Sequence, residues 1–252
     1  MNLSQVQTWI RLVFRKRPAR PRRRLGSNSR LFLECLETRN LLSTVVWINP
    51  NGGDWDTASN WLDTTTGTNH VPTANDNAVI AISGITVTHT SVFSSDTVNS
   101  LASQATLSVS GGSLTFNNFS TTQDLILSGG TVNAGDSLAV ANLTQNGGTL
   151  TGAGNVTIDQ ALSWTGGTMS GSGDTEVEGN AEVGGDSAFG PTLSARTLDN
   201  FGTLTVDNSS SLLFADNATL NNQSGAQLVL EDTAALGNFF GSSGSINNAG
   251  KL

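Results

Sequence analysis

Along most of the chain, apolar and polar residues alternate in short bursts: Leu107 and Val109, Leu114 and Phe116, Val156 and Ile158, Leu204 and Val206, Leu228 and Leu230. A period of two places these side chains on one face of a strand and turns the intervening Thr, Ser and Asn to the other. Glycine separates the bursts, and no segment beyond residues 1–43 carries a helical period. The pattern predicts an all-β protein of many short strands with tight corners.

The bursts also recur. The stretch GGTLTGAGNVTI, from Gly147, and the stretch GGTMSGSGDTEV, from Gly166, carry glycine at the same four places. They belong to a series that reads Gly112-Ser113-Leu114, Gly130-Thr131-Val132, Gly148-Thr149-Leu150 and Gly167-Thr168-Met169, at intervals of 18, 18 and 19 residues. Gly202-Thr203-Leu204 follows 35 residues later and reads as two further periods, with Gly185 near the middle. Looser copies stand at Gly225 and Gly250. A unit of about 18 residues is too small to bury its own apolar face, so it must stack on its neighbours. Equivalent positions then need equivalent residues. Asn118, Asn133, Asn146, Asn200, Asn221 and Asn247 recur near the corners, where amides can form ladders. The expected fold is a right-handed parallel β-helix, or β-solenoid, over residues 83–252, behind a Trp-rich cap and first strands over 44–82 and a basic, disordered or helical leader over 1–43. A β-sandwich is the competing fold, but its strands would recur every 8 to 12 residues. The final NNAGKL looks like the start of another rung, so the repeats can be read as truncated there.

Charge divides the chain. Residues 1–43 hold ten of the twelve Lys and Arg and two of the twenty acidic residues, a net +8, whereas the remainder carries −16. The acidic body argues against nucleic acid or an anionic membrane as partner. Only 13% of residues are charged, about half the roughly 25% usual for soluble domains, so Ser, Thr and Asn must supply the polar surface. Cys35 is the only cysteine, which leaves no disulfide framework, and His70 and His89 are too few for a His-rich metal centre. There is no apolar run long enough for a transmembrane helix. Neither a cofactor nor a metal is assigned.

Three of the five tryptophans, Trp47, Trp55 and Trp61, fall within fifteen residues. They could offer aromatic faces to sugar rings; the preferred reading is that they cover the open end of the solenoid with their N–H groups satisfied. Asp54, Asp56 and Asp76 have the oxygen ligands that Ca²⁺ uses, but not EF-hand spacing. The segment DTEVEGNAE puts Glu176 and Glu178 at the same parity, which could form an acidic groove.

The stretch LFLECLETRNLLS, behind an Arg-rich segment, resembles the leader motif of planctomycete extracellular proteins, with Leu33, Glu34, Leu36, Glu37, Arg39, Leu41, Leu42 and Ser43 in place. Thr38 stands where that family often has Pro or Asp. The repeats from about residue 100 resemble those of bacterial β-helical adhesin-like surface proteins. The resemblance implies export to the cell surface or beyond, a leader that can be removed, and a structural or adhesive role without catalysis. Extracellular glycans, cell-envelope components or further copies of the chain are the partners it implies. The alternative is a β-helical polysaccharide-binding or polysaccharide-cleaving enzyme, which would need paired carboxylates or a base with a cation. The repeat region offers Asp174, Glu176, Glu178, Glu182, Asp186, Glu231 and Asp232, but only Arg196 and Lys251 as cations, and no catalytic group is assigned.

Overall fold

A computed structural model describes residues 42–185 and 190–252. The leader residues Leu33, Glu34, Leu36, Glu37, Arg39 and Leu41, and the acidic Asp186, lie outside them; Leu42 is exposed and Ser43 opens the first strand. Strand makes up 57% of the structure, and the chain is a β-solenoid of about eight turns. Among the described residues the helical content is a single 3-10 turn, Ala58–Asn60.

The strands run in order as β1 (Ser43–Trp47), β2 (Gly53–Asp54), β3 (Trp61–Asp63), β4 (Asp76–Ile80), β5 (Thr86–His89), β6 (Ser95–Val98), β7 (Ser100–Ser103) and β8 (Thr106–Val109). The central turns hold β9 (Ser113–Phe116), β10 (Ser120–Leu127), β11 (Thr131–Ala134), β12 (Leu138–Thr151) and β13 (Val156–Ser170). There follow β14 (Asp174–Val177), β15 (Asn180–Val183), β16 (Thr192–Ser194), β17 (Thr197–Asn200), β18 (Thr203–Val206) and β19 (Ser211–Ala215). The last are β20 (Ala218–Asn222), β21 (Gln227–Leu230), β22 (Ala235–Asn238) and β23 (Gly244–Asn248).

Parallel pairing sorts these strands into three faces. The first face stacks β1, β4, β7, the starts of β10, β12 and β13, then β14, β17, β20 and β23. On the second lie β2, β5, β8, the later part of β10, the middles of β12 and β13, then β15, β18 and β21. The third takes β6, β9, β11, the ends of β12 and β13, then β16, β19 and β22. Only β3 departs from this order, pairing antiparallel with β1. The stacking therefore already begins in the segment read as the cap.

The alternation explains the core. On the second face Val87, Leu107, Leu125, Leu143 and Leu162 stack in one inward rank; on the third, Leu114, Val132, Leu150, Met169 and Leu193 do the same, and all are buried. Each such side chain contributes about 1.5–3 kcal/mol by leaving water. Leu228 continues the inward rank, but Leu230 remains 40% exposed, because of the chain beyond only Lys251 bridges β21, at Gln227.

The repeat needs one correction. Leu107, Leu125 and Leu143 are spaced by 18 residues and Leu162 and Ala181 by 19, but Leu204 and Leu228 follow at 23 and 24. The flanking strands keep their pairing across the longer turns, so the ladder continues intact. As a result Gly202 does not continue the series that ends at Gly167. Thr168 pairs with Thr192 on the third face, whereas Thr203 pairs with Asn180 and Gln227 on the second. Pro191 stands opposite Gly167, and Gly250, through Lys251, belongs to the rank of Gly202. Within the true series the corner requires glycine: φ is +63° at Gly112, Gly130 and Gly148 and +81° at Gly167. A Cβ at Gly148 would lie 2.6 Å from the carbonyl oxygen of Gly129 in the turn before.

The asparagines also divide among corners. Asn118 donates to Asn99 and Asn99 to Asn77, both at 2.7 Å. Asn247 donates to Asn221 and Asn221 to Asp199 on the outside of the first face. A separate inward ladder runs from Asn200, one of the expected corner amides, to Asn222 and Asn248, which were not among them, and Asn200 and Asn222 are buried in it.

Candidate functional site

Two features stand apart from the regular stack. One is a cluster at the N-terminal end, built on the second and third faces. β5 alternates Thr86, Val87, Thr88, His89, so His89 falls at an inward position, level with Val109 of the next turn. β6 places Asp96 level with Leu114, again an inward rank. In both ranks the neighbour in the following turn is an apolar core residue. Asp56, two residues after β2, completes the group: one ligating atom each from Asp56, His89 and Asp96 lie within 4.8 Å of one another.

The His89 ring is fully buried and held on both sides. Its Nδ1 lies 2.8 Å from the carbonyl oxygen of Gly111, and its Nε2 3.0 Å from Asp96 Oδ2. A carbonyl only accepts, so Nδ1 carries the proton and Nε2 is turned into the cluster. Gly112 makes room for the ring, since a Cβ there would stand 2.9 Å from His89 Cε1. Ser94 Oγ contacts Asp96 Oδ2 and lies 3.2 Å from Asp56 Oδ1. Burial first, and the neighbouring Asp96 second, push the Asp56 carboxyl above the usual value, while His89 pulls the other way. Such a set of one imidazole and two carboxylates can hold a cation.

The three aspartates considered together from the sequence do not share a site. Asp54 accepts from the Asp56 N–H at 2.7 Å and from the Thr90 hydroxyl at 3.1 Å. Asp76 accepts from Ser43, from the Thr73 N–H at 2.8 Å and from the Thr73 hydroxyl at 2.7 Å, with His70 Nε2 at 3.4 Å. Sequence reasoning missed His89 and Asp96. The available signal was their parity, His89 with Val87 and Asp96 with Val98, which assigns both to the core.

Next to this cluster the tryptophans pack edge to face, Trp47 on Trp61 at 4.9 Å and Trp55 on Trp61 at 4.8 Å between ring centroids. All three are buried, so these faces are not open to sugars. The indole N–H groups of Trp47 and Trp61 donate to the carbonyls of Asn49 and Trp55, but the indole N–H of Trp55 has no partner among the described residues, contrary to expectation.

The second feature is the outside of the third face. Ser95, Ser113, Thr131, Thr149, Thr168 and Thr192 form one outward rank in continuous register. A parallel rank runs Thr97, Thr115, Asn133 and Thr151 and resumes with Ser170 and Ser194. Hydroxyls and one amide thus repeat about every 4.8 Å along the axis. At its C-terminal end this surface becomes an open groove of about 640 Å³, flanked by Asp216 and by the edge-to-face pair Phe239 and Phe240.

Among the charged residues read from the repeats, Glu176, Glu231 and Arg196 are engaged by their side chains. Glu176 accepts from Thr157 at 3.4 Å and Asn155 at 3.5 Å, whereas Glu178 lies beyond the end of β14, so the two do not share one strand. Arg196 is buried between β16 and β17. Its guanidinium donates to Thr175 Oγ1 at 2.7 Å and to the carbonyls of Asp174, Ser170, Gly154 and Gly152 at 2.8–3.4 Å. Burial pushes its pKa down to about 10, with Asp174 opposing, so it stays charged at neutral pH. Among the described residues no helix is long and apolar enough to cross a membrane.

Fold and surface together define a three-faced parallel β-solenoid. In comparison with known proteins, the chain matches no family model, no curated protein and no solved structure.

Proposed function

We propose that the protein is an exported, cell-surface or extracellular solenoid whose work is structural or adhesive and involves no catalysis. The observation that carries this reading is the double rank of Ser, Thr and Asn on the third face. A flat surface of short polar groups at constant spacing suits an extended, repeating ligand such as a glycan chain, held by many weak contacts rather than in one deep pocket. The exposed Phe240, at the end of the same surface, adds an aromatic face against which a sugar ring can stack. Arg196, a candidate cation for lyase chemistry, is committed to backbone carbonyls inside the stack.

The test is direct. An antibody against residues 100–252 is expected to label intact, unpermeabilised cells, and the purified chain is expected to retain polysaccharide without releasing reducing ends. Labelling only after permeabilisation removes the surface role. Saturable release of reducing ends, abolished by substitution of a carboxylate, establishes the enzyme instead.

A further inference from the structure

We propose that Asp56, His89 and Asp96 form a binding site for one divalent transition-metal ion of the zinc class, which ties the segment after β2 to β5 and β6.

The first argument is register. The inward ranks of the second and third faces place apolar residues, Val109 and Leu114, directly after His89 and Asp96. An imidazole and a carboxylate at such positions are costly unless they are satisfied together. They face each other and are joined by a carboxylate from a different turn, Asp56, within 4.8 Å.

The second argument is the convergence of polar groups. Ser94 has one hydroxyl proton but stands against carboxylate oxygens of both Asp56 and Asp96. His89 uses its Nδ1–H in a hydrogen bond to the Gly111 carbonyl. Two carboxylates thus converge on one imidazole and one hydroxyl, an arrangement whose negative charge a divalent ion would balance.

The third argument is preorganisation. A carbonyl that holds the Nδ1 proton of a histidine, leaving Nε2 for the ion, is the usual outer-shell arrangement of metal-bound histidine. Gly112 leaves the ring free to take this position, which a larger residue would block at Cε1. Ligands about 2.0–2.2 Å from a tetrahedral ion stand about 3.3–3.6 Å apart. The separation of 3.0 Å between His89 Nε2 and Asp96 Oδ2 needs only a small opening to meet that figure. Imidazole among the donors favours a transition metal over calcium, which prefers an all-oxygen shell. This inference does not depend on where the protein resides.

The experiment uses the full chain, stripped with a chelator and titrated separately with zinc and calcium under calorimetry, with metal content measured after dialysis. One zinc per chain is expected, together with a rise in melting temperature on addition of zinc. Asp96→Asn and Asp56→Asn, each nearly isosteric, are expected to weaken zinc binding by at least about tenfold and to keep the wild-type far-ultraviolet circular dichroism. Cobalt(II) gives a measure on the unaltered chain: visible absorption of four-coordinate intensity is expected, and only the weak spectrum of hydrated cobalt overturns the site. Zinc that does not bind, zinc that binds equally well to both variants, or calcium bound in preference to zinc each overturn it too.

Discussion

Arg196 is the only buried cation described in the stack, and its replacement tests how the central turns are joined. Its guanidinium reaches back over two earlier turns, to the carbonyls of Gly152 and Gly154 in one and to Ser170, Asp174 and the Thr175 hydroxyl in the next. Arg196→Met keeps much of the apolar stem and removes every one of these donors. Hydrogen bonds to a charged group contribute about 1.5–3 kcal/mol each, a gross of about 7–15 kcal/mol for five. Against this stands the desolvation of the charge, several kcal/mol, which is the same effect that lowers the pKa. The expected net loss is about 3–5 kcal/mol, a large part of the roughly 5–15 kcal/mol of a folded domain. At about 2–4 °C per kcal/mol for a chain of this size, the melting temperature should fall by about 10 °C. Thermal circular dichroism reads this directly, and hydrogen exchange should show the loss concentrated at residues 152–175. Arg196→Lys, which keeps the charge but not the fork of donors, should fall between the two. A melting temperature for Arg196→Met within about 2 °C of the wild type refutes the reasoning, since the bonds would then merely offset the cost of burial.

Two further outcomes follow from the same geometry. Gly84 and Gly148 both have positive φ, but a Cβ at Gly84 meets nothing within 4 Å while one at Gly148 meets the Gly129 carbonyl at 2.6 Å. Gly84→Ala should therefore cost about 1 kcal/mol and Gly148→Ala clearly more, about 3 kcal/mol, as measured by urea unfolding. At Asp76, burial works to raise the carboxyl pKa, but hydrogen bonds from Ser43 and Thr73 outweigh it and hold the group below its ordinary 3.8. The stabilisation is thus fully present above about pH 4 and is lost as pH falls through the depressed folded value. Asp76→Asn should lower stability at neutral pH and flatten the acid limb below pH 4; an acid limb as steep as that of the wild type in a urea series across pH contradicts this.

The solenoid was legible because stacking forces like residues onto like positions. The run Gly112, Gly130, Gly148, Gly167 fixed both the fold and the corner, and the structure pairs the residues that follow them. Legibility ended where the corners grow. Once turns lengthen to 23 and 24 residues, spacing no longer identifies a face, and the Gly-Thr-Leu at 202–204, identical to that at 148–150, belongs to another rank. The repeated phrase itself acquires a second cause. Its later glycines, Gly152 and Gly154 against Gly171 and Gly173, stack so closely that a Cβ at Gly173 would lie 2.1 Å from the Gly154 carbonyl. The carbonyls of Gly152 and Gly154 are also two that Arg196 caps. Nothing in the local sequence connects Arg196 to glycines some forty positions earlier.

The same reasoning separates structural polar residues from those that bear chemistry. A polar side chain at an inward position must be satisfied within the stack. Asn200 and Asn222 achieve this through their ladder and the carbonyls of Gln227 and Lys251. Gln145, level with Trp164, does so only through its amide nitrogen, which donates to the carbonyls of Gly148 and Thr168, while its Oε1 is buried without a partner among the described residues. Arg196 does so through four carbonyls and a hydroxyl. Each of these groups donates to acceptors that were already there and adds no uncompensated negative charge. His89 and Asp96 differ, because their partnership brings in Asp56 and leaves two carboxylates facing one imidazole and one shared hydroxyl. Parity along a strand is enough to assign both to core positions, a signal the sequence reading did not use; only the stacking of three separate segments shows that the core there is built around charge.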